Sequence, residues 1–113
     1  MARTPFADTA LPGAVSDAIR LLGANLRRAR LRRRMTVAEL ATRAQISRPT
    51  VQKLEVGHPG TAIAHYAAVL WVLGLDAPLR ELAAPDRDEV GLALEAARTP
   101  SSVRARRELS DDF

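Results

Sequence analysis

The sequence predicts an all-α fold, and three observations carry that expectation. Apolar residues recur at helical spacing in successive stretches, and nowhere is there the strict alternation of a half-buried strand. Residues that start helices (Thr36, Ser47, Thr61) and residues that stop them (Gly57, Gly74) punctuate those stretches in the right order. At 113 residues, 47% of them apolar, the chain suits one small domain with extensions.

The elements follow in turn. Residues 1–15 contain Pro5, Pro12 and Gly13 and no periodicity, so they read as a flexible arm. Ser16 or Asp17 caps a first helix, whose stripe is Ile19, Leu22, Leu26 and Ala29 and which runs to about Arg34. Thr36 caps the second, and Glu39 three residues on completes a capping box. Leu40 and Ala41 face inward there, Ala41 being small where another helix must cross closely. Ala44, Gln45 and Ile46 make a turn. Ser47 caps the third helix, Pro49 sits in its first turn where a missing N–H costs nothing, and Val51 and Leu54 supply its buried stripe.

Residues 57–60 stop that helix and form a loop. Thr61 caps a fourth, from Ala62 to about Leu73, which is apolar nearly all round. Such a helix is either wholly internal or shared with a second subunit. Gly74 ends it. A short fifth helix is expected over 78–84 and a sixth over 86–98, with Val90, Leu92 or Ala93, and Leu94 or Ala97 as its weak stripe. Pro100 lies in the break that follows, and 103–113 is a polar tail.

Charge points to a polyanion. Between Arg20 and Lys53 there are ten basic residues against one acid, Glu39, for a charge of +9. From Asp76 to Phe113 nine acids face six arginines, for −3. The basic stretch contains the paired second and third helices, and Arg48, Thr50, Gln52 and Lys53 point outward near the start of the third. A helix offering those side chains, braced by a partner helix, is a way to read the major groove of DNA. Phosphate neutralisation by the surrounding basic residues would supply sequence-independent affinity.

Other chemistries find little support. The absence of cysteine excludes disulfides, thiolate catalysis and cysteine-ligated zinc. His58 and His65 have no acid at ligand spacing, so no metal site and no cofactor are expected. The serines lack a nucleophile context and no Gly-rich phosphate loop exists, so the chain is not expected to be an enzyme and no catalytic residue is assigned. No apolar run reaches the ~20 residues of a membrane span, and the first residues lack a signal-peptide core. A cytoplasmic, nucleoid-associated location is the expectation. Membrane-surface binding by residues 26–34 would need a wider apolar face than Leu26, Ala29 and Leu31 provide.

Residues 22–84 resemble the Xre or lambda-repressor-like helix-turn-helix family. The run from Leu26 to Arg30, Leu40 and Ala41, Ile46 and Ser47, Val51, Leu54 and Glu55, and Gly57 stand where that family's pattern has them. The resemblance implies a five-helix domain around one core, with an extra C-terminal helix and tail in this chain. Three departures stand out. Gln45 replaces the usual turn glycine, Val37 replaces a glutamine that touches phosphate, and Pro49 replaces a residue that often reaches a base edge. A narrower resemblance, to HipB-type antitoxins, rests on residues 60–70, residues 73–75, residues 82–88, and an arginine-containing tail with Asp111, Asp112 and Phe113. It implies a dimeric repressor that binds and restrains a co-encoded HipA-like Ser/Thr kinase.

Together these readings divide the chain into an arm (1–15), a helix-turn-helix DNA-binding domain (16–84), and a C-terminal helix with a partner-binding tail (85–113). The expected partners are a double-stranded DNA operator, a second copy of the chain and a HipA-like kinase, with no membrane. The expected DNA-contacting residues are Arg34, Thr36, Arg43, Ser47, Arg48, Pro49, Thr50, Gln52 and Lys53. Tyr66, Leu70 and Trp71 are the candidates for a dimer interface, because one small core cannot bury them all. Asp111, Asp112 and Phe113 are the candidate partner-binding residues, an aromatic flanked by charge that would repel phosphate. Two functions stay open: a repressor that is also a kinase antitoxin, and a stand-alone Xre-family, phage-type regulator.

Overall fold

The computed structural model describes residues 11–98 and, among them, is helical throughout with no strand. Five α-helices follow one another: α1 (Gly13–Arg32), α2 (Val37–Ala44), α3 (Arg48–Glu55), α4 (Ile63–Leu73) and α5 (Glu89–Arg98). Two 3₁₀ turns, Ala77–Glu81 and Pro85–Arg87, separate the last two. The chain forms two compact units, the first ending at Leu79 and the second starting at Arg80. The expected tail residues Asp111, Asp112 and Phe113, and residues 1–10 of the arm, lie outside the described residues.

In the first unit α1 to α4 pack about a single apolar centre. Leu40, Val51 and Leu54 are fully buried, with Leu26, Ala29, Met35, Ala41, Ala44, Tyr66, Val69 and Leu73 around them. Burying one such Leu or Val side chain contributes ~1.5–3 kcal/mol. Truncating Leu40 or Leu54 to Ala would therefore cost ~2–5 kcal/mol once the cavity is included. The first-helix stripe holds, since Ile19 and Leu22 pack half-buried beside Leu26 and Ala29.

The caps that frame α2 and α3 are the sequence-encoded ones. The Glu39 amide donates to Thr36 Oγ1 at 3.0 Å, and the Thr50 amide donates to Ser47 Oγ at 3.2 Å. Glu39 does not complete its box in the usual way, because its carboxylate accepts the Thr36 hydroxyl at 3.2 Å. Gln45 ends α2 in the left-handed region, φ 57° and ψ 42°, at a cost on the order of 1 kcal/mol relative to glycine. Its amide and that of Ile46 satisfy Thr42 and Ala41 carbonyls.

Four expectations need correction. α1 starts at Gly13, three residues before Ser16, because Pro12 is pre-set for a helix entrance and its carbonyl accepts from the Val15 and Ser16 amides. Residues 13–15 are therefore helix and not arm. Thr61 does not cap α4: the cap position falls on Ala62, and Thr61 Oγ1 is buried without a partner among the described residues. The fifth helix shrinks to a 3₁₀ turn, since Ala83 enters the left-handed region (φ 59°) and Pro85 follows. The sixth begins at Glu89 instead of Asp86, with the Asp88 carboxylate accepting the Gly91 amide at 2.9 Å.

α4 is not wholly internal. Tyr66, Val69 and Leu73 are buried and Gly74 ends the helix at φ 75°, but Ile63 is 71% and Trp71 68% exposed. The two exposed residues lie eight apart, on one face. In the second unit α5 buries nothing, and Val90, Leu92 and Leu94 are exposed.

Candidate DNA interface

The third helix has two ends with opposite surroundings. At its start, Ser47 and Thr50 bind each other through their hydroxyls at 2.7 Å and Arg48 is exposed. Gln52 and Lys53 are exposed further along, Lys53 in the last turn and not near the helix start as expected, and none of the three has a side-chain hydrogen bond or ion pair among the described residues. The unpaired amides of a helix start favour an anion there, and Arg48 adds its charge at the same place. Arg48 can offer paired donors to a guanine edge, and Gln52 can match adenine.

Most of the other expected residues lie on α2 and its approaches, where Arg43 borders a cleft with Trp71 and Val72 of α4. Arg34 occupies the α1–α2 turn in a left-handed conformation (φ 52°), exposed. Thr36 is exposed but already engaged as the α2 cap, and Arg43 is exposed in the last turn of α2. Pro49 is exposed in the first turn of α3 and presents only apolar surface. Val37, half-buried, packs against the core and so makes no polar contact in place of a glutamine.

At its other end α3 is clamped. Arg30 is only 7% exposed, and its guanidinium grips both oxygens of Glu55, Nε at 2.7 Å and Nη2 at 3.0 Å. Its Nη1 donates to the Met35 carbonyl at 2.8 Å, so one side chain ties α1, the α1–α2 turn and the end of α3 together. The hydrogen bond that Arg30 donates to Glu55 raises the Arg30 pKa, against the opposing pull of burial. Beside it, Gly23 of α1 lies against the Leu54 and Glu55 carbonyls and the Gly57 amide, with no room for a Cβ. Gly57 itself turns at φ 72° against the backbone of Arg20.

This clamp changes how the basic stretch is understood. The +9 count treats its ten basic residues alike, whereas Arg30 is neutralised by Glu55, Arg33 donates to the Ala29 carbonyl at 2.8 Å, and Arg20 lies 3.6 Å from Asp17. Arg27, Arg28 and Arg32 face a groove beside Glu55, at the opposite end of α3 from Arg48. Arg34, Arg43, Arg48 and Lys53 remain around the helix-turn-helix. Sequence reasoning missed the Arg30–Glu55 pair because 25 residues separate its members and Arg30 sits in a run of arginines.

Of the three candidates for an interface between copies, Trp71 is exposed, Leu70 is half-buried, and Tyr66 belongs to the core at 7% exposure. Tyr66 therefore serves this chain's own packing. Desolvation raises its phenol pKa, and its hydroxyl is buried without a partner among the described residues.

A helix-turn-helix domain family matches residues 21–83, just over half the chain, from the middle of α1 past the 3₁₀ turn that follows α4. The chain belongs to that family. Its caps, its left-handed Gln45 and its outward α3 residues are thus parts of a helix-turn-helix DNA-binding domain. No curated protein and no solved structure matches the chain. No described helix is long and apolar enough to cross a membrane.

Proposed function

We propose that this helix-turn-helix protein is a sequence-specific transcriptional repressor, reading its operator through Arg48, Thr50, Gln52 and Lys53. The observation that carries this is the exposed face of α3, where Arg48, Gln52 and Lys53 are held on a capped helix with no side-chain partner among the described residues. Arg34, Thr36, Arg43, Ser47 and Pro49 flank them as backbone contacts. Two copies would place their recognition helices in successive major grooves, about 34–36 Å apart on a pseudo-palindromic site. The Trp71 and Ile63 side of α4, with Leu70, is the surface suited to that pairing, because exposed large apolar groups of this kind mark interfaces. Selection from random duplexes should return such a site. Arg48→Ala should then cost ~1–3 kcal/mol on it and relax preference at one base pair per half-site. Equal losses on selected and random DNA would show that Arg48 holds phosphate only.

We also propose the antitoxin role that the HipB-type resemblance implies, with a HipA-like kinase held by Asp111, Asp112 and Phe113. What supports it is the reversal of charge along the chain, from +9 to −3, which disqualifies the acidic end as a DNA contact. Truncation after Arg98 should leave operator binding nearly intact and weaken capture of a co-encoded kinase. Undiminished neutralisation by the shortened chain would remove the tail from the mechanism and favour the stand-alone regulator.

A further inference from the structure

The outward face of α1 is left over by the DNA-reading function. Leu21, Ala24, Arg28 and Leu31 recur at spacings of three, four and three, which places them on one side of the helix. The opposite side, with Gly23, Leu26, Ala29 and Arg30, is the one buried against the rest of the unit. Leu21 is 63% and Leu31 48% exposed. Between α1 and the end of α3 lies an open groove of ≈ 600 Å³, formed by Ala24, Leu31, Arg27, Arg28, Arg32 and Glu55.

Its charge is decided by the clamp beside it. Among the described residues Glu55 is the one acid in the groove, and both of its oxygens are taken by Arg30. Arg27, Arg28 and Arg32 have no hydrogen bond or ion pair of their side chains among the described residues, so the rim carries three uncompensated positive charges. Small and apolar below, basic at the edges, and sized for a few side chains, the groove has the makings of a peptide-recognition site.

We propose that this face is a docking site for an acidic amphipathic segment of a protein partner, its leucine-like residues seated on Ala24 and Leu31 and its carboxylates meeting Arg27, Arg28 and Arg32. Protein fits better than nucleic acid for two reasons. Exposed leucines gain nothing from phosphate, and the groove adjoins Glu55 at the end of α3, about two helical turns from Arg48 at its start. The inference stands whether or not the partner of the chain is a kinase.

The test uses the full chain and a labelled synthetic helical peptide with leucines on one face and glutamates flanking them, followed by fluorescence anisotropy. The peptide should bind, and a version with lysines in place of the glutamates should not. Arg28→Glu with Arg32→Glu should weaken binding at least about tenfold, and Leu31→Ser should weaken it severalfold. Random duplex DNA, measured at ~0.15 M salt where the screening length is about 8 Å, should bind the double variant within about threefold of the parent. Thermal unfolding checks that the variant is folded, and Arg28→Ala keeps the comparison readable if charge reversal disturbs the helix. Equal peptide affinity for parent and variants, or no peptide binding by the parent, overturns the proposal. So does a loss of duplex affinity matching the loss of peptide affinity, which would make this a nucleic-acid face. Dissociation of the parent's oligomer by the same substitutions would make it a self-association face and overturn it too.

Discussion

The two ends of α3 divide the labour of one short helix. Its start presents Arg48, with Gln52 and Lys53 following along the exposed face, and its end is held through Glu55 by Arg30, Gly23 and the turn at Gly57. Arg48, Gln52 and Lys53 can exchange water for base edges and phosphates without breaking a side-chain hydrogen bond among the described residues. The held end sets where that exchange happens, because a helix of eight residues is barely stable by itself and takes its place from what it packs against. Substitutions at the held end should therefore register in stability, and those at the free end in recognition.

That contrast can be broken from either side. The largest effect is expected for Arg30→Ala, which strands the buried Glu55 carboxylate and should destabilise by ~3–5 kcal/mol in chemical denaturation. Replacing both partners, Arg30→Met with Glu55→Leu, should recover most of that loss. If the double replacement is as damaging as Arg30→Ala, the pair is more than a charge match. Gly23→Ala should come next, at ~1–3 kcal/mol, because the added methyl meets the carbonyls that close α3. At the free end, Ser47→Ala removes the α3 cap and should cost ~1 kcal/mol. Arg48→Ala should be smallest in stability, within ~0.5 kcal/mol, while altering DNA selectivity. A stability loss at Arg48 as large as that at Arg30 would erase the distinction between the ends.

What was legible in the sequence was what short-range rules govern. Thr36, Ser47 and Gln45 each act on backbone groups within four residues, and each does in the structure what its chemistry predicts. Where two local signals competed, the stronger steric one prevailed: Pro12 over Ser16 at the start of α1, and Ala83 with Pro85 over the apolar residues of 78–84. The clamp was illegible, because nothing local separates Arg30 from Arg27 or Arg28. Only the packing of α1 on α3 turns one arginine inward and leaves its neighbours outside. Likewise an apolar helix such as α4 announces burial, but its sequence does not say which of Tyr66 and Trp71 the core will take.

That last outcome has a practical side. The chain has one tyrosine and one tryptophan, and α4 carries them back to back. Trp71 looks outward, so its fluorescence should answer to whatever covers that face and stay indifferent to the interior. Tyr66 looks inward, and its phenol holds its proton above the ordinary value of 10.0 because ionising it would put a charge in the core. With the folded value raised, the stabilisation from keeping Tyr66 neutral is whole below pH ~10 and drains away as pH climbs through the folded value. An alkaline titration followed by phenolate absorbance would thus time the opening of the core, while the emission of Trp71 at neutral pH times the arrival of a partner. Two natural chromophores on one helix let assembly and unfolding be watched separately, with no label attached.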